Sequence, residues 1–168
     1  AHVFADGARN IAIRGRGRVD GQARYEWGPA EEEDAESREE TRLAREAGVD
    51  MRRWLRRGLQ AMTFLLKECR DVLIEDVTLV GSTLWNVRLW GCDGVVVRGV
   101  TIESDLEKAA NSDGIDVDGS RNVRISDCRI ATADDAIVLK SGKWRWDGRG
   151  PSFPTENVVV TNCVLSSS

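Results

Sequence analysis

The chain has 168 residues, 41% of them hydrophobic and 31% charged, with a formal net charge of -4. This is enough for one domain with a real core, and the acidic balance does not fit a nucleic-acid binder. No apolar run approaches the roughly 20 residues needed to cross a bilayer.

The chain opens without Met, directly in a strand pattern, and stops inside another. No secretory leader is visible in Ala1-His2-Val3-Phe4-Ala5, and the sequence reads as a piece cut from a longer protein. Asn10-Ile11-Ala12-Ile13-Arg14-Gly15 is the first of a series of repeats. Its later members begin at Asp71, Gly94, Asn122 and Asn157, each a polar or Gly turn residue followed by apolar residues at alternate positions. A second pattern precedes them, in Phe64 with Leu66, Val87 with Leu89, Ile115 with Val117, and Ile137 with Leu139.

The step from Val72 to Val95 is 23 residues and from Val95 to Val123 is 28. Period-2 strands at this spacing, separated by Asn, Asp and Gly turns, predict a parallel β-helix. Each coil buries its inward residues only by stacking on the next. The Leu-x-x-Leu-x-Leu pattern of a leucine-rich solenoid is missing.

Residues 27–60 interrupt the series as a helical insertion. Pro29 suits a first helical turn. Glu31, Glu32, Glu33 and Asp34 suit a helix start, and Arg42 and Arg45 its end. Gly48 stops it, and Asp50 caps a second short helix carrying Met51, Trp54 and Leu55. Arg52, Arg53, Arg56 and Arg57 form either a solvated outer face or a grip for an anionic substrate. A second insertion, from Gly142 to Pro154, carries Trp144, Trp146 and Phe153, which could stack on sugar faces or plug a groove.

The four cysteines pair by repeat position, Cys69 with Cys92 and Cys128 with Cys163. Stacked side chains point in parallel, which opposes disulfide torsion, so buried thiols acting as small apolar fillers are expected. The only His is His2 and there is no Cys-x-x-Cys spacing, so no zinc site is expected.

The chemistry concentrates between Asn111 and Lys140. Asp113 lies two residues before Ile115, and Asp135 two before Ile137, so the two carboxylates should sit at one position on adjacent coils, roughly 4.8 Å apart. Asp134 adds a third. The bland alternative is that these acids bond turn amides. A same-position pair with a third acid beside it suits general acid and base work better. Asp116, Asp118 and Asp127 are expected to point outward into solvent. Asp116-Val117-Asp118-Gly119 lacks the further spaced ligands of a calcium loop.

Asn111-Ser112-Asp113, Asp134-Asp135 and Lys140-Ser141-Gly142 resemble the polygalacturonases of glycoside hydrolase family 28. So do Gly15-Arg16-Gly17-Arg18-Val19-Asp20-Gly21-Gln22 and Leu84-Trp85-Asn86-Val87. The resemblance covers nearly the whole chain except the insertion. It implies a right-handed parallel β-helix, of which 1–168 would be a partial catalytic domain. It implies hydrolysis of α-1,4 links between galacturonate units of pectin, with inversion. Asp134 would be the general acid, Asp113 and Asp135 would activate water, and Asn111 and Lys140 would bind substrate. It implies no cofactor or metal, a pectic polysaccharide or oligogalacturonide as partner, and neither nucleic acid nor membrane. It also implies a secreted or periplasmic location and a monomer at full length. The family's Gly-His-Gly and Arg-x-Lys motifs are absent from this stretch. A β-helix lyase and a non-catalytic glycan-binding β-helix are the alternatives.

Overall fold

The computed structural model describes residues 1–25, 27–29, 35–49, 54–56, 61–141 and 153–167. Three five-stranded parallel sheets run along a common axis. The first contains Val3–Asp6, Phe64–Lys67, Val87–Trp90, Ile115–Asp118 and Ile137–Lys140. The second contains Arg9–Arg14, Arg70–Glu75, Asp93–Arg98, Arg121–Ser126 and Glu156–Thr161. The third contains Arg18–Asp20, Thr78–Val80, Thr101–Glu103, Arg129–Thr132 and Val164–Ser167. Each turn of the chain supplies one strand to every sheet, and the turns stack in sequence order. The result is a right-handed parallel β-helix of five rungs, the hand usual for parallel crossovers.

The period-2 pattern becomes the core. Phe64, Val87 and Ile115 form one inward column, Val72, Val95 and Val123 a second, and Leu79, Ile102 and Ile130 a third, all buried. Burying each such side chain is worth about 1.5–3 kcal/mol, and no rung can do it without neighbours. On the outermost rung the same inward positions lie open, with Val160 44% and Leu165 47% exposed.

The turn residues also stack. Asn10, Asp71, Gly94, Asn122 and Asn157 occupy one register position, and all have φ between 53° and 73°. Asn and Asp enter this left-handed region more readily than other residues with a β-carbon. Asn157 Nδ2 donates to Asn122 Oδ1 at 3.2 Å, so the turn column is also hydrogen-bonded along the axis.

The cysteines stack as expected and all four are free thiols; Cys69, Cys92 and Cys128 are buried, whereas Cys163 is only half-buried. Burial pushes the Cys92 thiol up to about 12 and the Cys128 thiol up to about 11, so both stay protonated at neutral pH.

The insertion differs in part from the sequence reading. A helix spans Ala35–Glu46, and Gly48, at φ 72°, ends it as expected. The second helix does not form at Trp54, because Trp54–Arg56 is a strand pairing antiparallel with Trp27–Pro29. Pro29 therefore stands in a two-stranded ribbon and not in a helical turn. Aromatic residues such as Trp27 and Trp54 favour strands, and a two-stranded ribbon is all edge, where Pro is tolerated. Glu31, Glu32, Glu33, Asp34, Asp50, Met51, Arg52, Arg53, Arg57, Trp144 and Trp146 lie outside the described residues. Among the described residues, no helix is long and apolar enough to cross a membrane.

Candidate active site

The site sits where the first-sheet strands begin, across the boundary between the fourth and fifth rungs. Gly114 N donates to the Asp135 carbonyl at 2.8 Å, and Ile115 N to the Ala136 carbonyl at 3.1 Å. Ile115 pairs with Ile137, so Asp113 and Asp135 are rung neighbours, as their shared offset predicts. One carboxylate oxygen from each of Asp113, Asp134 and Asp135 lies within 4.8 Å of the other two. The three acids therefore converge, although Asp134 and Asp135 are adjacent in sequence. A turn before the strand aims both the same way. Asp113 is buried, Asp134 half-buried and Asp135 exposed.

Local hydrogen bonds fix this turn. Asp134 Oδ1 accepts from the Asp135 amide at 2.9 Å, and Asp134 Oδ2 from Asn111 Nδ2 at 3.4 Å. The Asp134 carbonyl accepts from Thr132 Oγ1 at 2.8 Å and from Ser167 Oγ at 2.9 Å. Ser112 Oγ accepts from the Ala133 amide at 3.2 Å. Asn86 is fully buried one rung below. Its side chain donates to the Ser112 and Asp113 carbonyls at 3.3 and 3.1 Å. Asn86 is a positioning residue that stands in the sequence only as part of the Leu84-Trp85-Asn86-Val87 motif. Its place directly before Val87, level with Gly114 before Ile115, was the available signal.

The expectation for Asp116 and Asp118 needs correction. Both point away from the core, yet Asp116 has no exposed surface and Asp118 is 4% exposed. The reason is cover from neighbouring rungs. Arg88 Nε donates to Asp118 Oδ2 at 3.1 Å, and Arg88 Nη2 closes a second hydrogen bond to the same oxygen. The Arg88 guanidinium carbon lies 5.0 Å from the Trp85 ring centroid and 4.4 Å from that of Trp90. Asp127 is exposed, as expected.

Lys140 joins the two clusters. Its Nζ donates to Asp113 Oδ2 at 3.1 Å and makes a shorter hydrogen bond to Asp116 Oδ1. It also lies 3.9 Å from the Trp85 ring centroid. Burial, helped by repulsion from Asp113 and opposed by Lys140 and Arg88, raises the Asp116 carboxyl to about 7. Burial likewise raises Asp113, with Lys140 pulling it back and Asp134 pushing it up. Burial opposes the Lys140 charge, but the bond to Asp116 and the attraction of both acids hold its pKa above the usual lysine value.

Three converging carboxylates could share a hard cation. They could equally divide the work of giving and taking a proton. Lys140 already supplies positive charge at Asp113, which reduces the need for a metal counterion there. Phe153 packs against Gly119, its β-carbon 2.9 Å from where a glycine β-carbon would stand. Phe153 is itself 37% exposed.

Residues 56–167 match the family model described as glycosyl hydrolases family 28. A probable polygalacturonase from Vitis vinifera is 36% identical over 92 residues, covering 54% of this chain and 18% of the relative. A probable polygalacturonase from Arabidopsis thaliana is 33% identical over 89 residues, covering 53% of this chain and 19% of the relative. The chain thus spans less than a fifth of these relatives. The crystal structure of a hyperthermoactive exopolygalacturonase from Thermotoga maritima superposes on 98% of this chain. It does so with a TM-score of 0.73 and 28% identity, over 40% of that protein. A polygalacturonase from Erwinia carotovora superposes on 95% of this chain, with a TM-score of 0.66 and 25% identity, over 38% of its own length.

Proposed function

Since the chain belongs to the glycosyl hydrolases of family 28, we propose that it contributes the acid–base centre of an enzyme hydrolysing galacturonate-containing pectic polysaccharide. The observation that carries this reading is the convergence of Asp113, Asp134 and Asp135 across one rung boundary. Asp134, half-buried and hydrogen-bonded to Asn111, is the general acid that protonates the leaving oxygen. Asp113 and Asp135 together hold and deprotonate the attacking water. Asn111 and Lys140 flank the three carboxylates, Asn111 bonding Asp134 and Lys140 bonding Asp113, where a bound sugar would meet them. No cofactor enters these steps. The names of the relatives support a pectic substrate, and a polysaccharide substrate favours a location outside the cytoplasm.

Inversion is the stereochemical course proposed, from two carboxylates able to share one water. A second reading comes from the spacing. Inverting enzymes usually part their acid and base by about 6.5–9.5 Å, retaining ones by about 5–5.5 Å. The nearest oxygens lie within 4.8 Å of one another, which leaves room for the shorter separation as well. In that reading Asp113 or Asp135 attacks the anomeric carbon itself.

The experiment is incubation with polygalacturonate, with reducing ends quantified and the first product followed by proton NMR. A β-anomer formed first supports inversion, and an α-anomer supports the retaining reading. Absence of new reducing ends in every length of the chain tested would remove the hydrolytic proposal.

A further inference from the structure

The site buries an acid that the hydrolytic steps do not use. Asp116 is fully buried on the outer face of the first sheet. Its Oδ1 accepts from Lys140 Nζ, while its Oδ2 has no partner among the described residues. Leaving half a carboxylate unpaired in such a place is costly. A residue kept there against that cost suggests a task.

The same pattern recurs at Asp113, which is 3% exposed. Its Oδ2 accepts from Lys140 Nζ at 3.1 Å, and its Oδ1 has no partner among the described residues. One ammonium therefore fixes one oxygen on each of two buried acids. It is held from a third side by the Trp85 ring, 3.9 Å away, in a cation–π contact.

The geometry points to Asp116 and Lys140 as positioning residues for the base. Asp116 draws the Lys140 ammonium onto the Trp85 face, and the ammonium ties down Asp113 Oδ2. Lys140 thereby fixes how the Asp113 carboxylate is turned, while its other oxygen, Oδ1, stays buried without a partner among the described residues. The inference rests on the hydrolytic reading above and names the residues that hold the base. In the step, a water O–H bond breaks and its proton passes to the Asp113 carboxylate. The water oxygen bonds to the anomeric carbon, the glycosidic C–O bond breaks, and the departing oxygen takes the proton of Asp134. Asp135, exposed on the next rung, orients the water.

This assignment separates Lys140 from a residue whose main task is to grip a sugar carboxylate. Its charge is already shared between two acids, with Asp134 repelling Asp113 from beyond and Arg88 attracting Asp116. Loss of the ammonium should therefore strike turnover more than substrate affinity.

The test uses Lys140→Ala, Lys140→Gln and Asp116→Asn, each with two readouts. The first is kcat and KM on polygalacturonate. All three should lose at least about tenfold in kcat with KM within about threefold, the mark of an interaction used in the transition state. Ethylammonium in solution should restore part of the Lys140→Ala turnover, which a merely structural defect would not allow. The second readout is the titration of the Asp113 carboxyl by carbon NMR, which should move to higher pH in both Lys140 variants. A rise in KM at unchanged kcat would overturn the proposal and make Lys140 a sugar-binding group. An unmoved Asp113 titration would overturn it equally. If the parent shows no hydrolysis, the functional reading fails, and the titration still decides whether Lys140 governs Asp113. If Lys140→Ala fails to fold, the longer Lys140→Gln side chain carries the same two tests.

Discussion

The carbonyl oxygen of Ala136 lies 2.3 Å from the point where a β-carbon on Gly114 would stand. Ile130 Cγ2 is 2.6 Å from the same point. Gly114 follows Asp113 directly and donates to the Asp135 carbonyl, so this gap sets how closely the two acidic turns approach. Gly114→Ala must push the fourth and fifth rungs apart. The expected cost is about 1–3 kcal/mol of overpacking, read by urea denaturation. A larger proportional loss of activity should accompany it, since a misplacement of about 1 Å can cost about a hundredfold in rate.

Asp134→Asn should lower turnover by about 10²–10⁴-fold, the usual worth of a positioned proton donor. The melting temperature should barely move, because the carboxamide oxygen can still accept from the Asp135 amide and only the long 3.4 Å bond from Asn111 is lost. Reducing-end release together with a thermal melt checks both. Near-parent hydrolysis by this variant would take Asp134 out of the acid role.

The Arg88–Asp118 pair should behave as a buried ion pair. Their side chains are only 9% and 6% exposed. Asp118→Ala removes the carboxylate that accepts two hydrogen bonds from the buried guanidinium and should cost about 3–5 kcal/mol. Replacing both partners, as Arg88→Met with Asp118→Leu, should recover most of that loss. A double-mutant cycle in denaturant gives the coupling, and additive losses would show that the two do not act together.

Stability should depend on pH through Asp116. Unfolded, this carboxyl ionises near 3.8, and folded it keeps its proton to about 7. Within that window the folded state binds more protons, so stability falls as pH rises and levels off above about 7. Asp116→Asn should flatten this part of the profile. Denaturation midpoints between pH 4 and 8 for parent and variant test it, and an unchanged slope would assign the dependence to another group.

Chelation should leave hydrolysis intact, because Lys140 and not a metal neutralises Asp113 in this reading. The measurement is reducing-end release before and after dialysis against EDTA. A loss reversed by calcium, with ultraviolet absorbance from an unsaturated sugar end, would favour the lyase alternative.

The rung architecture was legible because one physical rule repeats. Val72, Val95 and Val123 alternate with polar neighbours at a recurring interval, and only stacking buries them all. The acidic site was legible for the same reason, since Asp113 and Asp135 keep one offset from Ile115 and Ile137. The burial of Asp116 was not. Strand alternation says which way a side chain points, but not what arrives from the next rung to cover it. Its cover comes in part from Lys140, 24 residues away, and no local pattern encodes that meeting. The ribbon of Trp27–Pro29 with Trp54–Arg56 escaped notice for a related reason: each half is three residues long, and periodicity needs more.

The direction of the inter-rung hydrogen bonds has a mechanical consequence. They run along the axis, so a pull on the two ends of the stack loads them in series, one rung boundary after another. Asp134 and Asp113, the proposed proton donor and base, stand on opposite sides of one such boundary. Neighbouring strands are about 4.8 Å apart, so stretching that single boundary by a fraction of its width would part donor from base. Under tension the chemistry would switch off while every rung still kept its own shape.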